Sequence, residues 1–244
     1  MVERARQILA SINDLEFLKK TYNLRYAEIK NLNTPKFWNK LLFDTTNLQA
    51  QDGMTKDRVK TSFKFLSRNA KKILDIGAGN GFVEELIGKN KGIKIYGNDI
   101  SSIAVRKLKE RFKGDFKKES LYSMKYPKKS FDSIFMLEVL EHIAPSKVFS
   151  VLKKVREILR KKGSLIVSIP TNEGLEKKRD NLSGHLRTYT ENLIRAELKI
   201  AGFKVVKLKT LYAFKNFYNF KKISAKILRK RWQPNDIVIL AKPE

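Results

Sequence analysis

A glycine-rich turn between a short apolar strand and a helix constrains the fold more than any other feature. Ile73, Leu74 and Ile76 form a short apolar run that predicts a buried strand, and residues 84–87 begin a predicted helix. Between them lies Gly77-Ala78-Gly79-Asn80-Gly81, which follows Asp75. A strand, a turn and a helix in this order place backbone N–H groups at a helix N-terminus, where the polar groups of a ligand can approach them. The sequence therefore predicts a ligand site at this turn.

A second acidic residue lies at a suitable distance beyond the turn. Residues 93–96 predict a second strand, and Asp99 follows its end, 22 positions after Gly77. A carboxylate in this place can accept hydrogen bonds from both hydroxyl groups of a ribose. The glycines follow a Gly-x-Gly-x-Gly spacing, which differs from the Gly-x-Gly-x-x-Gly that is usual for dinucleotides. The strand, the turn and Asp99 together predict a ligand that contains a ribose.

Three motifs in order resemble the class I S-adenosylmethionine (SAM) methyltransferases. They are the glycine turn behind Asp75, the pair Asn98-Asp99, and the stretch from Phe131 to His142, which contains Glu-Val-Leu-Glu-His. The resemblance covers roughly residues 55–212 and a final strand at 236–241. The alternative is a nucleotide- or nicotinamide-binding βαβ domain, against which the early second Gly-x-Gly and the Glu-Val-Leu-Glu-His stretch argue.

Predicted strands and helices alternate along the chain, which indicates an α/β fold with a doubly wound, mostly parallel sheet of seven strands. The resemblance implies a Rossmann-like methyltransferase fold whose last strand is antiparallel. We expect an N-terminal helical extension at residues 1–54 and a SAM-binding methyltransferase domain at residues 55–244, with a basic helical insert at residues 215–232. Within the domain, a helix that begins at Pro145 should end at Gly163.

The front of the chain predicts helices that precede the sheet. Apolar side chains between residues 3 and 30 recur at steps of three, four and seven, which suits one helix face. Pro35 should begin a short second helix, and Thr55 should cap the first helix of the methyltransferase domain. The resemblance implies that this extension is a lid over the active site. A packing or dimerisation helix is the alternative, because an apolar stripe is usually buried.

The resemblance also implies which residues bind the cofactor, SAM. In the ubiquinone-type O-methyltransferases an arginine on the helix before the glycine turn, here Arg58, binds the SAM carboxylate, for which a guanidinium fork is suited. The alternative is that Arg58 is one of many surface arginines. The acidic residue that usually accepts the adenine amino group falls on Ser120, which is a departure, with Glu119 next to it; Leu121 would offer its backbone N–H to the ring. The predicted cofactor-binding residues are Arg58, Asp75, Gly77, Gly79, Asp99, Ile100, Ser120, Leu121 and Leu137.

The chain has two histidines, His142 and His185, and both follow predicted strands whose carboxyl ends should lie at one edge of the sheet. Methyl transfer depends mostly on holding the acceptor in line, but a hydroxyl acceptor of high pKa also needs a base or a metal. We therefore predict His185 and His142 as catalytic residues. The alternatives are a loop anchor for His185 and a turn-fixing role for His142. Arg187 and Tyr189, beside His185, could orient an acceptor.

Glu138, Glu141 and His142 are spaced so that one helical turn would direct all three the same way, and with His185 they would form a site of oxygen and nitrogen donors. Such donors suit a hard divalent ion. The pattern resembles the Mg²⁺ site of ubiquinone-type and small-RNA 2′-O-methyltransferases. Many relatives carry Glu-Val-Leu-Glu-His without a metal, so Mg²⁺ is an alternative and no metal ligand is included among the predicted site residues.

The charge of the chain bears on its partners. The net charge is +27 and the pI is about 10.1, which indicates either an anionic partner, RNA or a membrane surface, or a lysine-rich proteome without functional meaning. Residues 216–232 can form a basic amphipathic helix with one apolar side. Such a helix could lie on an anionic membrane, along phosphates, or as a cover packed on the sheet. The apolar side would consist of Phe217, Phe220, Ile223, Ile227 and Leu228.

The absence of cysteine excludes disulfides, thiolate metal sites and cysteine nucleophiles. The sequence has no run of membrane-spanning length and no signal peptide at its start, so we expect a cytoplasmic location.

The predicted function is SAM-dependent methylation of an oxygen atom of a small or lipid-linked acceptor. The first alternative is methylation of a ribose 2′-hydroxyl in RNA, which the net charge supports. The Asn/Asp-Pro-Pro-Tyr/Phe motif that enzymes acting on base amines often carry does not follow the fourth strand. The second alternative is a protein that binds SAM without turnover, which the departure at Ser120 permits.

Overall fold

The computed structural model describes residues 15–41, 48, 51–88, 92–173, 183–212, 214, 217–228 and 233–244. Seven strands in these residues form one sheet: β1 (Lys72–Ile76), β2 (Lys94–Asp99), β3 (Asp115–Lys118), β4 (Phe131–Leu137), β5 (Leu159–Pro170), β6 (Phe203–Leu211) and β7 (Asp236–Pro243). The same residues contain α1 (Leu15–Tyr26), α2 (Pro35–Leu41), α3 (Gly53–Phe65), α4 (Phe82–Ile87), α5 (Ser102–Arg111), α6 (Val148–Ile158), α7 (Glu191–Ile200) and α8 (Tyr218–Ile227).

The strand order is β3-β2-β1-β4-β5-β7-β6. The strands from β1 to β5 pair in parallel, whereas β7 is antiparallel to both β5 and β6. This sheet, with helices packed on both faces, confirms the predicted fold class and the antiparallel last strand. The order reverses between β1 and β4, and in such sheets the carboxyl ends of the strands open a crevice at this switch point.

Apolar packing on both faces buries the central strands. One cluster joins β1, β4 and β5 to α1, α6 and α7, and a second cluster joins the opposite face of the sheet to α3, α4 and α5. Because both faces are covered, β1 and β4 consist of nearly continuous apolar runs in the sequence. Leu18, Tyr22 and Tyr26 place α1 inside the first cluster, so the first front helix packs against the core.

Three predicted boundaries were wrong. The front helix ends at Tyr26, and its predicted first half lies outside the described residues. Asp52, and not Thr55, caps α3, because its Oδ1 accepts a hydrogen bond from the Thr55 backbone N–H at 2.8 Å. The helix expected to reach Gly163 ends at Ile158.

The early end of α6 has a cause outside the local sequence. Leu159 pairs with Phe131 of β4, and Arg160 forms an ion pair with Asp132, so the chain enters β5 directly after the helix. Pairing with β4 therefore supplies partners that the helical periodicity of residues 148–159 does not reveal.

Two further expectations concern the surface. α8 occupies part of the predicted basic insert, and residues 229–232 lie outside the described part of the chain. Among the described helices, none combines the length and the apolar character that crossing a bilayer requires.

Candidate active site

A cavity of about 290 Å³ opens at the carboxyl ends of β1, β2 and β4. Its walls include all nine residues that the sequence predicts as cofactor-binding, together with His142. Sequence reasoning did not select Asn33, Trp38 or Glu119 for the site, yet they also line the cavity. His185 is not part of this lining. The cavity thus coincides with the switch point at which open α/β sheets bind their ligands.

The glycine turn brings bare backbone to the wall of the cavity. Gly77 and Gly81 have φ values of +72° and +73°, in the left-handed region that disfavours side chains. A Cβ at Gly77 would lie 2.8 Å from Cγ2 of Val139, so a larger residue would collide with the loop after β4. The turn therefore needs glycine both for its conformation and for its close approach to that loop.

Asp99 ends β2 and faces the same turn. Its Oδ2 accepts a hydrogen bond from the Gly79 backbone N–H at 2.9 Å, and its Oδ1 accepts one from the Ser101 backbone N–H at 2.7 Å. Burial raises the pKa of Asp99, and these backbone donors partly offset the rise. Each carboxylate oxygen has a second lone-pair site, so Asp99 can hold the turn and still accept a hydrogen bond from a ligand.

A pair of acidic side chains lies below the turn. Asp75, at the end of β1, and Glu84, in the first turn of α4, are both fully or nearly fully buried. Burial raises the pKa of Glu84 to about 8. Burial and the charge of Glu84 raise the pKa of Asp75 as well. The pair therefore retains a proton near neutral pH.

Glu119 supplies an acceptor next to the position where the sequence placed Ser120. Its Oε1 accepts a hydrogen bond from the Lys125 backbone N–H at 3.1 Å. Its Oε2 is buried and has no hydrogen-bond partner among the described residues. Ser120 uses its Oγ to accept a hydrogen bond from the Tyr122 backbone N–H at 3.3 Å. Burying a carboxylate oxygen without a hydrogen-bond partner costs free energy, which indicates that Oε2 of Glu119 accepts a hydrogen bond from a ligand in the cavity.

Arg58 meets two carboxylates of the protein itself. Its Nη1 lies 2.9 Å from Oδ2 of Asp236 and 3.1 Å from Oε2 of Glu138. Burial alone would lower the pKa of Arg58, but the charges of Glu138 and Asp236 outweigh it and raise the pKa. Glu138 has a φ of +56°, and its Oε1 also accepts a hydrogen bond from Ser168 Oγ at 2.8 Å. The predicted role of Arg58 toward the SAM carboxylate stays a prediction, and a ligand there would share the guanidinium with these two side chains.

His142 and Trp38 form the other end of the cavity. The indole of Trp38 stands edge-on to the His142 ring, with 4.8 Å between the ring centroids. His142 Nδ1 lies 3.1 Å from the carbonyl oxygen of Gly184. A carbonyl can only accept, so Nδ1 carries the proton and Nε2 carries the lone pair in the neutral ring. This tautomer suits a base.

His185 lies behind His142 and is held by a partner that the sequence did not suggest. Its Nδ1 lies 2.9 Å from Oε2 of Glu173, and its ring centroid lies 4.8 Å from that of His142. Glu173 follows β5 in the loop before His185, and no spacing rule connects the two residues. The two histidines therefore lie together, with His142 toward the cavity.

The expected common direction of Glu138, Glu141 and His142 was wrong for Glu138. A 3-10 turn covers Leu140–His142, and Glu138 precedes it with a left-handed backbone that points its carboxylate at Arg58. One metal-type cluster is formed by Glu141, His142 and His185, whose ligand atoms lie within 4.8 Å of one another. Burial raises the pKa of Glu141 well above its ordinary value, and the charge of Glu138 adds to the rise.

Arg187 and Tyr189 do not orient an acceptor, because both are fully or nearly fully buried and neither lines the cavity. Arg187 forms an ion pair with Glu197 and donates hydrogen bonds to the carbonyl oxygens of Leu140 and Ile143. These hydrogen bonds tie Arg187 to the turn that carries His142.

The segment around α2 spans the mouth of the cavity. Asn39 Oδ1 accepts a hydrogen bond from Ser101 Oγ at 2.8 Å, and Asn33 Nδ2 donates one to the carbonyl oxygen of Gly184 at 2.7 Å. These contacts tie the segment to the end of β2 on one side and to the loop before His185 on the other. Trp38, between them, lines the cavity.

The chain is similar in sequence and in fold to known proteins. A family model described as a methyltransferase domain matches residues 49–208. An uncharacterised protein of Methanocaldococcus jannaschii is 26% identical over 179 residues, which cover 71% of this chain and 73% of that protein.

Two solved structures share the fold. A SAM-dependent methyltransferase from Archaeoglobus fulgidus superimposes with a TM-score of 0.62 at 20% identity, over 83% of this chain and 99% of that one. The 1,6-didemethyltoxoflavin-N1-methyltransferase of Burkholderia thailandensis, whose structure holds 1,6-didemethyltoxoflavin and S-adenosylhomocysteine, superimposes with a TM-score of 0.64 at 16% identity, over 86% of each chain.

Proposed function

The chain belongs to the methyltransferase-domain family, and from this premise we propose that its cavity binds SAM and that it methylates an oxygen atom of a small or lipid-linked acceptor. One observation supports the proposal above all: a single continuous cavity extends from the glycine turn and Asp99 to His142 and Trp38. A cofactor bound at the first end would therefore face an acceptor held at the second.

The residues of the first end fit the parts of SAM. The glycine turn presents backbone to which the methionine part can lie close, and Asp99 offers acceptors for the ribose hydroxyls. The buried Oε2 of Glu119 is a suitable acceptor for the adenine amino group. We therefore assign to Glu119 the role that the motif spacing had given to Ser120.

When bound, SAM supplies a methyl group that is already activated on a sulfonium, so the protein has to position the acceptor and remove its proton. His142 Nε2 accepts the proton of the acceptor hydroxyl, since Nδ1 donates to Gly184. Trp38 covers this end of the cavity and limits the entry of water. Glu173 orients His185, whose ring packs against that of His142. His185 either holds the His142 ring in position or is itself the base.

The test is a tritiated-methyl screen of RNA, lipid and metabolite fractions, followed by kinetics on the acceptor that it identifies. His142→Ala should lower kcat by roughly 10²–10⁴-fold and leave SAM affinity nearly unchanged. The rate of the unmodified enzyme should fall in acid, because a protonated imidazole cannot accept a proton. If His185 is the base, His185→Ala should show the larger loss. Full turnover in both variants would rule out base catalysis by either histidine.

A second candidate is methylation of a ribose 2′-hydroxyl with the help of a divalent ion. It is favoured by the proximity of Glu141, His142 and His185, whose atoms could hold Mg²⁺. In that case EDTA should abolish activity on RNA, Mg²⁺ or Mn²⁺ should restore it, and Glu141→Gln should be as harmful as His142→Ala. Activity that persists in EDTA would exclude this candidate.

SAM binding without methyl transfer to any of the screened fractions would indicate a protein that binds SAM without turnover.

A further inference from the structure

The helix α8 presents its apolar side to solvent. Phe217, Phe220, Ile223 and Ile227 are 80%, 72%, 60% and 76% exposed. Phe220, Ile223 and Ile227 recur at steps of three and four within the helix, so they share one face, and Phe217 directly precedes the helix. A cover packed on the sheet would bury this face, whereas α8 exposes it and directs Lys222 to Asp57. We call these four residues the α8 apolar face.

Polar contacts fix the helix in this orientation. Tyr218 Oη donates a hydrogen bond to Asp57 Oδ2 at 2.9 Å, and Lys222 forms an ion pair with the same carboxylate. A Cβ on Gly53 would lie 2.3 Å from the Tyr218 ring, so the helix packs directly on the backbone of α3. Ala225, on the same inner side, is fully buried. Turning the α8 apolar face inward would break all of these contacts.

The charge around the helix selects the occupant of this face. Lys221 lies on the helix, Arg229-Lys230-Arg231 follow it in the sequence, and the chain carries a net charge of +27. A second copy with the same charge would be repelled. RNA would leave four large apolar side chains in contact with phosphates, while Lys222 is committed to Asp57. An anionic bilayer accepts both apolar side chains and cations.

We propose that α8 lies in the surface of a membrane of anionic phospholipids, with the α8 apolar face inserted among the acyl chains and the net positive charge of the chain attracting the headgroups. Asp57, which anchors α8, precedes Arg58, which lines the cavity. The docking helix is therefore attached to a helix, α3, that also contributes to the cavity wall. The docking itself does not depend on which acceptor the enzyme methylates.

The experiment is co-sedimentation of the full chain with vesicles of phosphatidylcholine, alone or mixed with phosphatidylglycerol. Binding should require phosphatidylglycerol and should weaken as salt is added. The double variant Phe220→Asn/Ile223→Asn removes apolar surface without changing charge, and it should weaken binding by at least about tenfold. Leu24→Asn is the matched control, because Leu24 on α1 is 77% exposed and lies outside the α8 apolar face. This control should bind like the unmodified chain.

Calorimetric titration with SAM shows whether the double variant has kept its fold, and it separates failure of the docking from failure of the proposed function. Three results would overturn the proposal. The first is no binding to anionic vesicles at low salt, and the second is binding that the double variant leaves unchanged. The third is concentration-dependent dimerisation or RNA binding that the double variant abolishes while vesicle binding persists.

Discussion

At the level of single residues, the fold buries four acidic side chains in the cavity wall or next to residues that form it. Asp75 and Glu84 are buried below the glycine turn, and Glu141 and Asp236 are buried near Arg58. Burial is the main cause that raises the pKa of all four groups. Burial therefore disfavours the charged forms of these carboxyl groups, and the positive charge of Arg58 opposes this effect at Glu141 and Asp236.

The raised pKa of Glu84 should make the stability of the protein depend on pH. The folded chain holds its proton up to pH values of about 8, whereas the unfolded chain releases it near 4.5. The free energy of unfolding should therefore fall as the pH rises through this interval. Glu84→Gln should reduce that slope in urea denaturation at a series of pH values. Glu110→Gln, an exposed change on α5, should keep it, and equal slopes in all three proteins would refute the assignment.

The residues of the site that the sequence revealed are those with local patterns. The glycine turn and Asp99 belong to a strand–turn–helix unit whose spacing is fixed within one segment, so the sequence alone is enough to select both. Glu173 and Asn33 could not be selected in this way, because each acts on a partner brought near by the fold. Glu119 was visible beside Ser120, but only its buried, unpartnered oxygen distinguishes it.

At the level of elements, one buried ion pair and its hydrogen bonds join four segments of the chain. Arg187 pairs with Glu197 of α7 and donates to the carbonyl oxygens on either side of the His142 turn. The hydroxyl groups of Tyr22, on α1, and Tyr189 also donate to Glu197. The position of His142 therefore depends on α1 and α7, although neither helix lines the cavity.

Removing one partner of this pair should be costly. Arg187→Ala should lower the free energy of unfolding by about 3–5 kcal/mol, because Glu197 would remain buried and uncompensated. Arg195→Ala on the same helix as Glu197 is the control, since its pair with Glu191 is exposed and should contribute at most about 0.5 kcal/mol. Denaturant unfolding measures both. A loss below about 1 kcal/mol for Arg187→Ala would show that the pair does not hold these elements together.

The elements themselves were predictable where their signals are local. Thr190 is a residue type that favours helix N-caps, and its Oγ1 accepts a hydrogen bond from the Leu193 backbone N–H of α7 at 3.2 Å. The end of α6 was missed because Leu159 continues the helical period, while its strand partner on β4 is distant in sequence. The direction of α8 was equally hidden, since Asp57, which anchors it, belongs to α3.

At the level of the whole molecule, α3 connects the features that bear on function. It contributes Arg58 to the cavity, anchors α8 through Asp57, and packs on the sheet beside β7. α2 covers the cavity from another side. The fold class could be predicted from the alternation of strands and helices. The positions of α2 over the cavity and of α8 on α3 depend on long-range contacts, which the periodicity of the sequence does not reveal.

Calorimetric titration of SAM into the unmodified chain, Asp99→Asn and Asp115→Asn tests the central claim most directly. The unmodified chain should bind SAM, and Asp99→Asn should weaken binding by about 1–3 kcal/mol, because the ribose loses a charged acceptor. Asp115→Asn, an exposed change on β3, should bind normally. No binding of SAM by the unmodified chain, or equal affinity in all three proteins, would contradict the account.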